Sequence, residues 1–424
     1  MRYQFSSTFL GVVLSARIAF SKRSWPYMTA LAMPWLMTSG QRVMSRMWQI
    51  AGRARHRSSY YRFLSEGKIR LEILWRCLFE LIVKAFSLTK LVLVVDDTLC
   101  PKWGQGIFGT GSFFDHVARP RAGYIWGHNW VVLAVVVQMG NFCWVALPFW
   151  IGLYRSKKRC KPREFRTRFE MVGQMLRSVR IWAPAVEILL LADGAYNNDS
   201  MVSVLDKLKI FFVSRLRQDA RLRKAPTPRR KGQRGRPAKY GAWLPSLKLL
   251  ASRHSAFRKV AVHIYRRTLR LQVRIVDAFW PALGRKVRVV IVRDPKRRHR
   301  TAYLMSTDLA MTAEQIIECF SMRWAIEQLF ADAKLQMGLD STEARKPRAV
   351  LCHAALTMAF ITWVQVWHHL SHPSTAHRSF SKKLNHLRTE TIASTLFSSG
   401  PRTMPRQKNT AALANLFVTA SAAA

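Results

Sequence analysis

Between positions 91 and 95 the chain reads Leu-Val-Leu-Val-Val, an apolar run that stops at Asp96-Asp97. A second run, 188–192, stops at Asp193-Gly194. Short apolar runs bounded by turn formers predict strands buried on both faces. Between them, 129–152 is almost wholly apolar except at Gly140-Asn141, the pattern of a buried hairpin. Residues 164–179 then place Phe165, Phe169, Val172, Met175, Leu176 and Val179 on one helical face. The predicted order is strand, hairpin, helix, strand. Upstream, residues 1–90 read as helical, most clearly over 65–86, where Ile69, Leu71, Ile73, Leu74, Cys77, Leu78, Leu81 and Ile82 recur at largely helical spacing. Downstream, 259–265, 269–276 and 286–292 alternate basic with apolar residues, as strands wet on one face do. A Pro/Gly/basic stretch at 221–240 precedes them and reads as a mobile loop. A helix is predicted from Thr312, where Thr312 and Gln315 fit a capping box, and another over 349–367 after Pro347. From 371 onward the chain is rich in Ser, Thr and Ala and is expected to be a flexible tail.

Charge changes the picture more than any element does. The 424 residues carry 69 Lys+Arg against 23 Asp+Glu, a formal net charge of +46. With 23 Phe and 15 Trp there is ample apolar material for a core, which excludes a disordered basic polymer. A folded chain this basic calls for a polyanion, nucleic acid first and an anionic membrane surface second. The run 131–153 is broken by Gly140-Asn141, and 349–367 contains His353 and Gln365, so both read as core elements and no membrane association is expected. Six cysteines form no Cys-x-x-Cys pair, which fits a reducing, cytoplasmic setting. The basic, Ser-rich segment 53–62 suits phosphate contact by Arg and Tyr, or else a solvated loop.

Acids are scarce, so those in apolar contexts stand out. If the two buried strands pair in parallel, the carboxylates at their ends share one edge of the sheet. On the helix after Thr312, at ~100° per residue, Phe320, Arg323, Glu327 and Lys334 fall within ~60° of one another, with Glu318 and Asp332 pointing roughly the other way. An Arg323–Glu327 pair on a solvated face would give the same pattern. Three converging carboxylates would suit a two-metal site for phosphoryl transfer. The histidines show neither His-Glu-x-x-His nor zinc-finger spacing, and His368-His369 with His372 read as a solvated helix end. No Gly-Lys-Ser/Thr follows the glycines at 104–111, so no nucleotide loop is expected.

Phe320-x2-Arg323-x3-Glu327-x6-Lys334 resembles the Y-R-E-K signature of DDE insertion-sequence transposases at every step of its spacing, with Phe320 where Tyr is usual. The segments around Asp96-Asp97-Thr98 and Asp193-Gly194-Ala195-Tyr196 resemble that family's two aspartate strands, and the resemblance spans about residues 90–345. It implies an α/β fold: a ribonuclease-H-like mixed sheet with flanking helices (89–208 and 302–370) and a β-rich insertion (209–301), to which the sequence pattern adds an N-terminal helical DNA-binding domain (1–88), only loosely like the family's end-binding region, and a flexible C-terminal tail (371–424). It implies Asp96, Asp193 and Glu327 as catalytic and metal-holding residues, with two Mg²⁺ or Mn²⁺ ions. Phe320, Arg323 and Lys334 would contact DNA. Pattern alone leaves Asp96 and Asp97 open, and the resemblance favours Asp96. The implied partners are transposon-end DNA, target DNA and a second copy of the chain on the DNA ends, in a nucleoid-associated setting. A nuclease or resolvase that cuts without joining, and a non-catalytic DNA-coating protein, are the rival readings.

Overall fold

The computed structural model describes residues 5–397 apart from 41, 52–54, 116–122, 142, 228–235, 237, 254–255, 265 and 297–298. Most of the 229–237 basic run and the tail beyond 397 therefore lie outside the described residues.

Five helices come first: α1 (Ser7–Leu14), α2 (Trp25–Met37), α3 (Met44–Ile50), α4 (Arg57–Glu66) and α5 (Leu71–Ala85). The helix expected over 65–86 starts later, at Leu71. Gly67 ends α4, and Ile69 bridges to Phe20, so the chain turns between the two helices. In α5, Leu74, Cys77, Leu78, Leu81 and Ile82 are buried on one stripe.

The sheet follows. β1 (Lys90–Pro101), β2 (Gly111–Phe114), β3 (Tyr124–Gln138), β4 (Trp144–Tyr154), α6 (Arg168–Trp182), β5 (Glu187–Ala192), α7 (Asp199–Lys207) and β6 (Ile210–Arg215) run in that order. The core strands lie in the order β4-β3-β1-β5-β6. β1 is antiparallel to β3 and parallel to β5, and β5 is parallel to β6. That is the arrangement of a ribonuclease-H-like sheet, in agreement with the expected fold class. The β3–β4 hairpin turns at Gly140, whose φ of +76° is open to glycine at little steric cost.

Beyond β6 come α8 (Leu247–Ser252), β7 (Arg258–Ile264), β8 (Arg267–Trp280), β9 (Arg285–Arg293) and β10 (Ala302–Ser306). These strands do not form a sheet of their own. β10 pairs antiparallel with β6 on one side and β9 on the other, so one sheet of ten strands continues through β9, β8 and β7. On β7 the buried Val260 and Val262 alternate with exposed residues, as a sheet with one wet face requires.

The chain closes with α9 (Ala313–Met322), α10 (Trp324–Leu335), α11 (Pro347–Ser371) and α12 (Phe380–Phe397). The single helix expected from Thr312 is divided at Arg323. There the amides of Arg323 and Ile326 bond three residues back rather than four, which tightens the turn. Helix α11 is buried almost all round and packs on β4, α1, α4 and α5. Its Thr362 hydroxyl donates to the Pro148 carbonyl at 2.5 Å. Among the described residues it is the one helix long and apolar enough to cross a membrane, yet 94% of its apolar window is buried inside the protein. The N-terminal helices rest on it: Trp35 packs on Phe360 and His353 and donates to the Met337 carbonyl, and Trp367 donates to Thr8. Residues 380–397, expected within a flexible tail, form α12 instead, with Phe380, Leu384 and Leu387 buried. The physical reason is that the sparse apolar residues of this stretch fall at 380, 384 and 387, a helical spacing that a Ser/Thr-rich composition masks.

Candidate active site

Asp96 does not close a strand. Its strand continues to Pro101, because β3 pairs with β1 as far as Pro101↔Gly127. The parallel partner stops earlier: the β1–β5 ladder ends at Val94↔Leu191, and β5 ends at Ala192. Asp96 thus lies where β1 loses one neighbour and a gap opens in the sheet. On the far side of that gap, Asp193 begins a short 3-10 turn, Gly194–Tyr196. A side chain at Gly194 would meet the Arg215 carbonyl at 2.8 Å, so glycine lets this turn press against the end of β6.

Successive side chains of a strand point to opposite faces, and this separates the two adjacent acids. Asp96 faces α10. Its Oδ2 accepts from Arg323 Nη1 at 3.1 Å, its Oδ1 accepts from the Asp97 amide at 2.9 Å, and Arg323 Nη2 donates to Glu327 Oε1 at 2.7 Å. One guanidinium therefore holds two carboxylates that come from different parts of the chain. Arg323 is 14% exposed, Asp96 21% and Glu327 36%, so the pair is not on a freely solvated helix face. The Arg323 guanidinium also lies 5.7 Å from the centre of the Phe320 ring. Asp97 faces the other way, where Asn129 Nδ2 donates to it at 3.0 Å and Arg168, at the start of α6, approaches to 3.5 Å.

Burial pushes the Asp96 carboxyl up to about 7, against the opposing pull of the Asp97 amide and Arg323; the Asp97 and Asp193 charges push it further in the same direction. Burial and ion pairing conflict here, and burial wins because little water reaches the group. The influence of Asp193 puts it within electrostatic range of Asp96. Tyr196 is buried beside these acids; its burial first, then the Asp97 and Asp96 charges, raise its phenol well above the usual value.

Lys334 lies on α10 near β1, where its charge acts on Cys100. Glu318 and Asp332 are turned elsewhere. Glu318 accepts from the His263 amide at 2.9 Å, tying α9 to β7, and Asp332 lines a separate cleft with Gln328, Arg378 and Lys382. The cleft on the Asp193 side, about 1150 Å³, is lined by Arg215, Arg217, Lys248, Arg293 and Arg300. These cations come from β6 and the loop after it, α8, β9 and the loop before β10, and only the fold assembles them. Asn129 and Arg168 were also not legible as site residues. The one local signal was the capping box of Thr167 and Glu170, which fixes where α6 starts and so where Arg168 points.

A family model described as DDE superfamily endonuclease matches residues 19–271, the part that carries Asp96 and Asp193. A model of the archaeal ISC1217 transposase matches residues 278–363, the part that carries Phe320, Arg323, Glu327 and Lys334. No curated protein matches the chain.

Proposed function

The chain belongs to the DDE superfamily endonucleases, and from that premise we propose that it is a transposase. It cleaves the ends of a mobile element and joins the freed 3′-hydroxyls to target DNA, acting as a homodimer on the two ends. The observation that carries this reading is the shared guanidinium: Asp96 and Glu327 are aimed at one cation from opposite ends of the catalytic sequence.

The donor set fits divalent metal. Carboxylate oxygens are hard ligands suited to Mg²⁺ or Mn²⁺, and Asp96 and Glu327 already share a positively charged group. Asp96, Asp193 and Glu327 would hold two such ions, which when bound activate the attacking water or 3′-hydroxyl and stabilise the leaving 3′ oxygen. The rest falls to the protein's own side chains. Arg323 and Lys334 bind phosphates beside the scissile one. Phe320 stacks on a base or sugar. The cationic cleft beside Asp193 holds the flanking backbone. Asp97 stays on the opposite face and braces β1 against α6 through Arg168.

The test is Glu327→Gln, which keeps shape and removes charge. Cleavage of element-end DNA in Mg²⁺ should be abolished while DNA binding is retained or slightly tightened. If Glu327 serves only as the partner of Arg323, activity should persist and stability should fall by roughly 0–1 kcal/mol. Pre-cleaved ends incubated with target DNA separate joining from cleavage alone, since an endonuclease that does not transfer strands leaves such ends unjoined.

A further inference from the structure

The histidines near the end of α11 are not a solvated terminus, as their sequence suggested. His368 is fully buried, and His372 and His386 are only partly exposed. His368 and His372 are one helical turn apart at the end of α11, and His386 and Glu390 are one turn apart on α12. His372 Nε2 lies 3.0 Å from Glu390 Oε1, and His386 Nε2 lies 3.8 Å from the same oxygen. The rings of His372 and His386 are 4.2 Å apart. Potential ligand atoms of these three residues all fall within 4.8 Å of one another.

We propose that His372, His386 and Glu390 form a zinc site that fastens α12 to α11, separate from the catalytic acids. Zn²⁺ takes nitrogen and oxygen ligands at about 2.0–2.2 Å in tetrahedral geometry, which sets ligand atoms roughly 3.3 Å apart. The separations of 3.0 and 3.8 Å lie on either side of that value. His386 carries the second observation. At 3.8 Å its Nε2 faces Glu390 from too far for a hydrogen bond. A ring aimed at a carboxylate from just beyond hydrogen-bond range is what an intervening ion explains. Two imidazoles select zinc over Mg²⁺, which prefers oxygen. Water completes the fourth position, since the three side chains are each a quarter to a third exposed. Trp367 stands edge-on to both rings and shields the site on its inner side.

The purpose is structural. Lys383 of α12 bonds Gln365 of α11 at 2.6 Å, and Arg388 of α12 bonds the Leu36 and Thr38 carbonyls at the end of α2. Fixing α12 therefore fixes the N-terminal helices to the catalytic core.

The test uses the full chain, dialysed against Mg²⁺ and then titrated with Zn²⁺, with bound metal counted by elemental analysis. One zinc per chain is expected, retained in Glu327→Gln and in the exposed-surface control His299→Ala, and lost in His372→Ala and His386→Ala. A chelator should lower the melting temperature of the wild type and leave that of His386→Ala unmoved. Should the alanine variants fail to fold, Co²⁺ substitution of the wild type and of the isosteric Glu390→Gln decides. Intense tetrahedral bands in the first, weakened or shifted in the second, support the site. No stoichiometric zinc in the wild type, zinc retained by the histidine variants, or a Co²⁺ spectrum indifferent to Glu390→Gln would overturn it.

Discussion

Asp96→Asn should stabilise the metal-free protein at alkaline pH. A carboxyl moved by burial from 3.8 to about 7 is harder to ionise in the folded chain than in the unfolded one. The sign follows from linkage: the penalty is absent below the unfolded value, grows as pH rises between the two, and is complete above about 7. Its full size is about 4 kcal/mol at 1.36 kcal/mol per pKa unit. Asn keeps an oxygen for the Asp97 amide and stands in for the neutral carboxyl, and the value of about 7 already contains the pull of Arg323. The net gain above pH 8 is therefore up to about 4 kcal/mol, shrinking to near zero as pH falls towards 4. Urea titrations of both proteins from pH 4.5 to 8.5 in a chelating buffer would measure it, with pH values chosen to span about that window. Adding Mg²⁺ should narrow the gap, because only the wild type then gains binding free energy. A variant equal to or weaker than wild type at the alkaline end, or a difference flat with pH, would refute the claim that desolvation outweighs Arg323 at this carboxylate.

Lys334→Ala should weaken cleavage in a way that recovers at high DNA concentration, in steady-state kinetics over a range of DNA, because the residue binds phosphate and does not hold metal. Affinity for random duplex should fall steeply with salt, and Lys248→Glu with Arg300→Glu should flatten the log K against log salt slope in a filter or anisotropy assay. Gly127→Ala should cost roughly 1–3 kcal/mol in urea unfolding, since its Cβ would come within 2.2 Å of the Cys100 carbonyl at the end of the β1–β3 ladder.

Local pattern carried the sheet's central strands and the acids near their ends, because buried runs such as 91–95 and 188–192 need no partner to be recognised. It misjudged where β1 stops. Two aspartates are poor strand formers, and only the distant β3 supplies partners for the backbone of 96–101. The helix stripe of Phe320, Arg323 and Glu327 was legible from periodicity, whereas its break at Arg323 was not, since that residue also reaches across to Asp96. Strands β7 to β9 were visible by alternation. That they extend the main sheet was not, because pairing between β6 and β10 joins residues about ninety positions apart. His368 and His372 looked peripheral for the same reason: the helix that covers them lies in a stretch whose composition suggested a tail.

The burial of α11 has a consequence for how the chain is made. This helix is the central pillar against which β4, α1, α4 and α5 close, yet it is encoded at residues 347–371, after every strand of the sheet. While the ribosome is still translating, β4 has α5 but not α11 as cover, and once α11 emerges it is apolar enough to be mistaken for a membrane anchor. The core is therefore completed late. Any product that terminates before about residue 371 would expose the sheet's interior, and its fate would be aggregation or proteolysis rather than a partly active fragment.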